Sequence, residues 1–141
     1  MSIKPIFDTI KEIKQDIENL SCEELAQEMG SGSKPLLVDI REMQERVDSG
    51  AIPDSVHAPR GMLEFWADPS SPYHRKYFKE DKRIVLYCAG GARSALAVKA
   101  MHEMGFSDVA HLEPGFVGWA KEKRPVEETA SKSRWIRKIL K

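Results

Sequence analysis

Ile84-Val85-Leu86-Tyr87-Cys88-Ala89-Gly90-Gly91-Ala92-Arg93-Ser94 is the stretch that decides the fold of this 141-residue chain. An apolar run leads straight into a cysteine. Two glycines and two alanines follow, and Ala95, Leu96, Val98, Ala100 and Met101 then recur at helical spacing. That order is strand, tight loop, helix, with a thiol at the carboxyl end of the strand. A thiol so placed faces backbone N–H groups and the positive end of a helix dipole, and both favour a thiolate with an anion beside it. Gly90 and Gly91 let the backbone curl without a Cβ clash, so successive N–H groups turn inward as an anion nest.

Working outward, the strand is expected over 83–87 and its helix from about Arg93 to Met104, closed by Gly105. Val109 to Leu112 reads as a last strand. Phe116, Val117 and Trp119 belong to a further helix ended by Lys123-Arg124-Pro125. Upstream, Leu36 to Ile40 is a buried-type strand, Arg41 to Asp48 a short helix ended by Ser49-Gly50, and Ser55 to Ala58 a brief strand closed by Pro59. Gly61 to Ala67 is expected to be helical, as is a turn over Tyr73 to Phe78. Ser21-Cys22-Glu23-Glu24 is a capping box opening a helix that runs to Met29 and stops at Gly30. Cys22, in its first turn, reads as a small buried apolar residue. Ile3, Ile6, Ile10, Ile13, Ile17 and Leu20 predict an amphipathic helix over residues 3–18, which either packs on its own domain or forms a dimerising seam. Strands alternating with helices argue for an α/β fold with a mainly parallel sheet covered on both faces.

Lys plus Arg equals Asp plus Glu, 22 of each, so bulk charge makes no case for nucleic-acid binding. The charge is uneven, however. Residues 1–30 hold three lysines and seven acids, whereas residues 131–141 hold five basic residues and no acid. The tail's Trp135, Ile136, Ile139 and Leu140 give it an apolar side, so it is expected either to dock a partner or anionic surface or to fold onto the acidic N-terminal helices. No run approaches a membrane span and no apolar leader opens the chain, which makes the cytoplasm the simplest address, with both thiols reduced. Cys22 and Cys88 lack metal-ligand spacing and His57, His74, His102 and His111 are scattered, so no metal site and no cofactor are expected.

Four separated motifs together resemble the single-domain rhodanese family. Val38-Asp39-Ile40-Arg41-Glu42 is similar to its Asp-Val-Arg-Glu signature, and Gly50 to Pro59 to its Gly-His-Ile-Pro-Gly-Ala stretch. Cys88 to Ser94 is similar to its active loop, and Leu112-Glu113-Pro114-Gly115-Phe116 with Trp119 to its closing turn and helix. The match covers about residues 20–125. The resemblance implies a five-stranded, mostly parallel sheet flanked by helices. It divides the chain into an N-terminal amphipathic helix (1–20), a sulfurtransferase domain (21–126) and a linker with a basic amphipathic tail (127–141). Ala51, Asp54 and Pro114 depart from the family pattern in turns. Ala89 stands where thiosulfate-using members often carry arginine, which removes a charge that could hold an oxyanion donor.

The activity implied is ping-pong sulfur transfer. Cys88 takes the outer sulfur of thiosulfate or a low-molecular-weight persulfide, and a thiol or cyanide removes it. A free cysteine titrates at about 8.5, and a helix N-terminus can lower that to roughly 3.5–7.5. Ala89, Gly90, Gly91, Ala92, Arg93 and Ser94 are then the residues that bind the persulfide or an anion. Arg93 either faces the pocket or pairs with a structural acid, and the pocket reading is preferred. Ser94 is read as a helix cap, with donation to sulfur as the alternative. Arg60 either reaches over the pocket or faces solvent. Asp39 and Arg41 are architectural, His57 and His111 structural, and Glu64-Phe65-Trp66 a pocket wall or core. The reading needs the sulfur open to solvent. Three rivals remain: a sulfur carrier or persulfide sensor using the same loop, a phosphatase or arsenate reductase, and an inactive rhodanese-like scaffold, against which the presence of Cys88 argues. The second is disfavoured because only four residues separate Cys88 from Arg93, a ring suited to one sulfur atom rather than phosphate.

Overall fold

A strand buried on both faces needs apolar residues at every position, not at every second one. Ile84–Tyr87 meets that condition and forms the central strand of the computed structural model, which describes residues 2–129. In chain order the elements are α1 (Ile6–Lys14), β1 (Glu18–Leu20), α2 (Cys22–Met29), β2 (Leu36–Asp39), α3 (Met43–Ser49) and β3 (Ser55–His57). A 3₁₀ turn (Arg60–Met62) then leads to α4 (Leu63–Ala67), β4 (Ile84–Tyr87), α5 (Ala92–Met104), β5 (Val109–Leu112) and α6 (Gly115–Lys121). The sheet order is β1-β5-β4-β2-β3 and every pairing is parallel.

Alternation along β4 builds two cores. Ile84 and Leu86 pack with Val38, Val98, Met101 and Phe106 on the α5 face. Val85 and Tyr87 pack with Leu25, Leu37, Leu112, Phe116 and Trp119 on the α2 and α6 face. In α1, Ile10 and Ile13 bury against Ala95 of α5, as the own-domain reading of that helix expects, while Ile3, Ile6 and Phe7 stay exposed.

Several expectations need correction. The helix expected over 3–18 ends at Lys14, and Glu18-Asn19-Leu20 is the fifth strand, paired to Ala110-His111-Leu112. Only Leu20 of that strand is buried, so nothing local marks it; its partner β5 does. Residues 73–78 form turns, not helix. The linker expected from 127 begins as part of the domain: Glu127 and Ala51 exchange two backbone hydrogen bonds, and Thr129 Oγ1 donates to the Arg46 carbonyl at 2.7 Å. The rest of the expected basic tail, from residue 130, lies outside the described residues. No helix among the described residues is long and apolar enough to cross a membrane.

The loop after β4 is clamped to the turn before α6. Phe116 and Val117 donate their backbone N–H to the carbonyls of Cys88 and Ala89 at 2.8 and 3.0 Å. Gly115 sits at φ +69°, and a Cβ there would lie 2.3 Å from the Ala89 carbonyl oxygen. Gly91 sits at φ +91°, where a Cβ would lie 2.1 Å from the Glu113 carbonyl oxygen. A Cβ on Gly90 meets nothing within 4 Å, so of the two loop glycines only Gly91 is demanded by the backbone. Gly91→Ala and Gly115→Ala are each expected to lose at least about 2 kcal/mol in urea unfolding. Gly90→Ala is expected to stay within about 0.5 kcal/mol of the parent.

Candidate active site

Cys88 follows the last residue of β4 and sits beneath the first turn of α5. Its Sγ accepts the Gly91 N–H at 3.2 Å and the Ser94 N–H at 3.4 Å, and its S–H donates to Ser94 Oγ at 3.5 Å. The left-handed Gly91 caps α5 and turns these amides inward. Burial pushes the thiol up. The Ser94 hydroxyl and the Ser94, Gly91 and Gly90 N–H groups outweigh that and hold it below its ordinary value. Cys22 shows the contrast. Burial, and then Glu122, push its thiol up to about 11, which favours the protonated form.

The sulfur is less open than the sequence reading requires, with Cys88 only 1% exposed, while Ala89, Gly90, Ala92 and Arg93 above it reach solvent. Ser94 is not the helix cap it was expected to be. It lies inside the first turn, fully buried, with its hydroxyl between Cys88 and His111 Nδ1, the latter at 2.7 Å. His111 Nε2 lies 2.7 Å from Asn19 Oδ1. Burial, reinforced by Lys14, pushes His111 down to about 4, so the ring is neutral at pH 7.

Arg93 pairs with a carboxylate in place of filling the pocket. Nη1 and Nη2 hold Glu45 at 2.8 and 2.9 Å, a planar two-point contact. Arg60 pairs with Glu64 at 2.7 Å. Of the expected wall, Phe65 is exposed and Trp66 packs against the core under Arg75. Asp39 and Arg41 form a buried pair at the end of β2, joined by Arg46, which the sequence reading missed. Arg41 also donates to the Gly50 carbonyl at 2.7 Å and lies 4.2 Å over the Phe116 ring, so this cluster ties β2, the turn after α3 and α6 together beneath the loop. His57 Nε2 donates to the Arg41 carbonyl at 2.7 Å. Glu45, Asn19 and the contact of His111 with Ser94 were also missed. Glu42-x-x-Glu45 has the spacing of a capping box, which was the one signal available for Glu45.

Comparison with known proteins places this fold in a family. The model of the rhodanese-like domain matches residues 21–122, and the chain belongs to that family. It is similar to a sulfurtransferase of Allochromatium vinosum, 29% identical over 110 residues that span 78% of this chain and 94% of that protein. The polysulfide-sulfur transferase homodimer of Wolinella succinogenes has a similar structure, with a TM-score of 0.68, 27% identity and 85% of each chain covered. So does a Rhodopseudomonas palustris protein of unknown function described as a possible tyrosine phosphatase, with a TM-score of 0.83, 43% identity, and 90% of this chain and 98% of that one covered. The fold class and the rhodanese-like family expected from the motifs are therefore shown.

The two-point contact with Arg93 and the Glu42 N–H hold the Glu45 carboxyl down to about 2. A carboxyl depressed in the folded state adds stability above its unfolded value of about 4.3, and this is lost as pH falls towards its folded value. The stability difference between the parent and Glu45→Gln is expected to be constant near neutrality and to shrink between about pH 4.3 and pH 2, as read by urea melts at each pH. Because the pair is part-exposed, the difference is expected not to exceed about 1 kcal/mol.

Proposed function

We propose that Cys88 is the nucleophile of a sulfurtransferase and carries the transferred sulfur as a persulfide. The observation that carries this is the convergence of the Gly91 and Ser94 N–H groups on Sγ. In the first half-reaction the thiolate attacks the outer sulfur of the donor. A new S–S bond forms, the donor's own bond to that sulfur breaks, and the electron pair leaves with sulfite or a thiolate. The persulfide anion rests against the same amides. In the second half-reaction cyanide or a thiolate attacks the outer sulfur and Cys88 departs as thiolate.

Among the two proposed donor classes, a low-molecular-weight persulfide is favoured over thiosulfate. Ala89 supplies no charge, and the two arginines expected to receive an oxyanion, Arg93 and Arg60, are each held by a carboxylate. A sulfur-carrier role would use the same loop and is separated from an enzyme by turnover alone. The phosphatase reading is disfavoured by the four-residue gap between Cys88 and Arg93 and by the engagement of Arg93 with Glu45.

Incubation with glutathione persulfide or thiosulfate, followed by removal of excess donor, is expected to add one sulfur atom to the intact mass. Cyanide should remove it, Cys22→Ser should retain it, and Cys88→Ser should never acquire it. Persulfide should load faster than thiosulfate. Protein that accepts sulfur from neither donor, or that hydrolyses an aryl phosphate instead, would overturn the reading.

A further inference from the structure

Four side chains run in a line from the reactive sulfur to the edge of the sheet: Cys88, Ser94, His111 and Asn19. Asn19 Nδ2 donates to the Lys14 carbonyl at 2.9 Å and the Ile17 carbonyl at 3.1 Å, which fixes the orientation of its amide. Its Oδ1 therefore accepts, so His111 Nε2 carries a proton and Nδ1 of the neutral ring carries none. Ser94 has one hydroxyl proton and directs it to Nδ1 at 2.7 Å. Toward Cys88 the serine then offers only lone pairs, and the Cys88 S–H points at them.

With its proton on His111, the serine works against the thiolate that the Gly91 and Ser94 amides favour, and it lowers the thiol only once its hydroxyl donates to sulfur. Loss of the Cys88 proton to water would leave the anion facing serine lone pairs. Rotating the hydroxyl onto sulfur would leave a buried imidazole nitrogen without a donor. One rearrangement satisfies every group. The S–H proton passes to Ser94 Oγ while the Ser94 hydroxyl proton passes to His111 Nδ1. Nδ1–H then donates to Oγ, the new O–H donates to the sulfur anion, and Nε2–H still donates to Asn19. No atom or electron enters or leaves.

We infer that His111 is a positioning residue that holds the Cys88 proton through Ser94 while the sulfur is anionic. The inference rests on Cys88 being the nucleophile proposed above. During the first half-reaction the imidazolium would keep the proton while the persulfide anion occupies the amides. When the acceptor releases Cys88 as thiolate, the proton returns by the same two hydrogen bonds. The charged groups facing His111 are Lys14 of α1 and Glu113 at the end of its own strand, paired with each other at 3.0 Å. On the sulfur side the nearest charged pair is Arg93 with Glu45. Burial and Lys14 disfavour an isolated imidazolium, so above about pH 4 the ring is protonated only together with an ionised sulfur, and the two groups titrate as a unit.

The test is the pH profile of Cys88 alkylation by iodoacetamide, in a Cys22→Ser background so that one thiol is read. The thiolate–imidazolium form and the thiol–imidazole form hold the same number of protons. The parent profile is therefore expected to show two inflections with a plateau between them. His111→Phe and Ser94→Ala are expected to show one inflection, with about tenfold slower alkylation on its acid side, the size of one pKa unit. Ser94→Thr, which keeps the hydroxyl, is expected to keep both inflections. Coincident parent and His111→Phe profiles would overturn the inference. So would imidazole ¹⁵N spectra of the unsubstituted protein placing the neutral-ring proton on Nδ1, a reading that does not depend on any variant folding. Alkylation reports the thiolate whether or not sulfur is transferred. Two inflections without sulfur loading would sink the transfer reading alone, and loading with coincident profiles would sink the relay alone.

Discussion

Everything at the working end of this domain depends on two amide hydrogens meeting one sulfur. Burial alone would raise the Cys88 thiol, and the Gly91 and Ser94 N–H groups, with the Ser94 hydroxyl, reverse that sign. The amides converge because Gly91 is left-handed, which it can be because it has no side chain, and the Glu113 carbonyl fills the space one would need. Gly115 repeats the arrangement from the other side against Ala89. The loop is thus shaped by backbone packed on backbone, which leaves little slack for it to open.

Charge plays a bracing part around this neutral ring. Asp39 is buried with Arg41 and Arg46, and Arg41 reaches the Gly50 carbonyl and the Phe116 ring. Breaking such a buried cluster from one side leaves an uncompensated charge, so it acts as a rigid joint between β2 and α6. Arg93 and Glu45 form a more exposed joint between α5 and α3. Arg41, Arg46 and Arg93 already have carboxylate partners, so they would attract a doubly charged anion less than the count of arginines suggests.

Much of this was legible in the chain. The apolar run of β4, the capping box at Ser21, the stops at Gly30 and Gly105 and the four motifs place the sheet, most helices and the loop that follows Cys88 correctly. These are local signals, and local chemistry decides them. What escaped was set by tertiary partners. Glu18-Asn19-Leu20 is a strand only because β5 lies beside it, and the isoleucine spacing before it continues the helical pattern past the true end of α1. Ser94 looked like a cap because serine commonly caps helices, yet Gly91 had already ended the loop and Ser94 faced inward. Arg93 was read towards the pocket because Glu45 lies 48 residues away and nothing in the sequence marks it as the partner. His111 reads as a satisfied structural histidine, and one of the hydrogen bonds that satisfy it connects it through Ser94 to Cys88.

The most direct measurement is ultraviolet titration of thiolate absorbance in Cys22→Ser protein, which reports ionisation of Cys88 without any substrate. The account predicts half-ionisation below the value of about 8.5 for a free cysteine. Half-ionisation at or above that value would mean that burial outweighs the amides, and would contradict it.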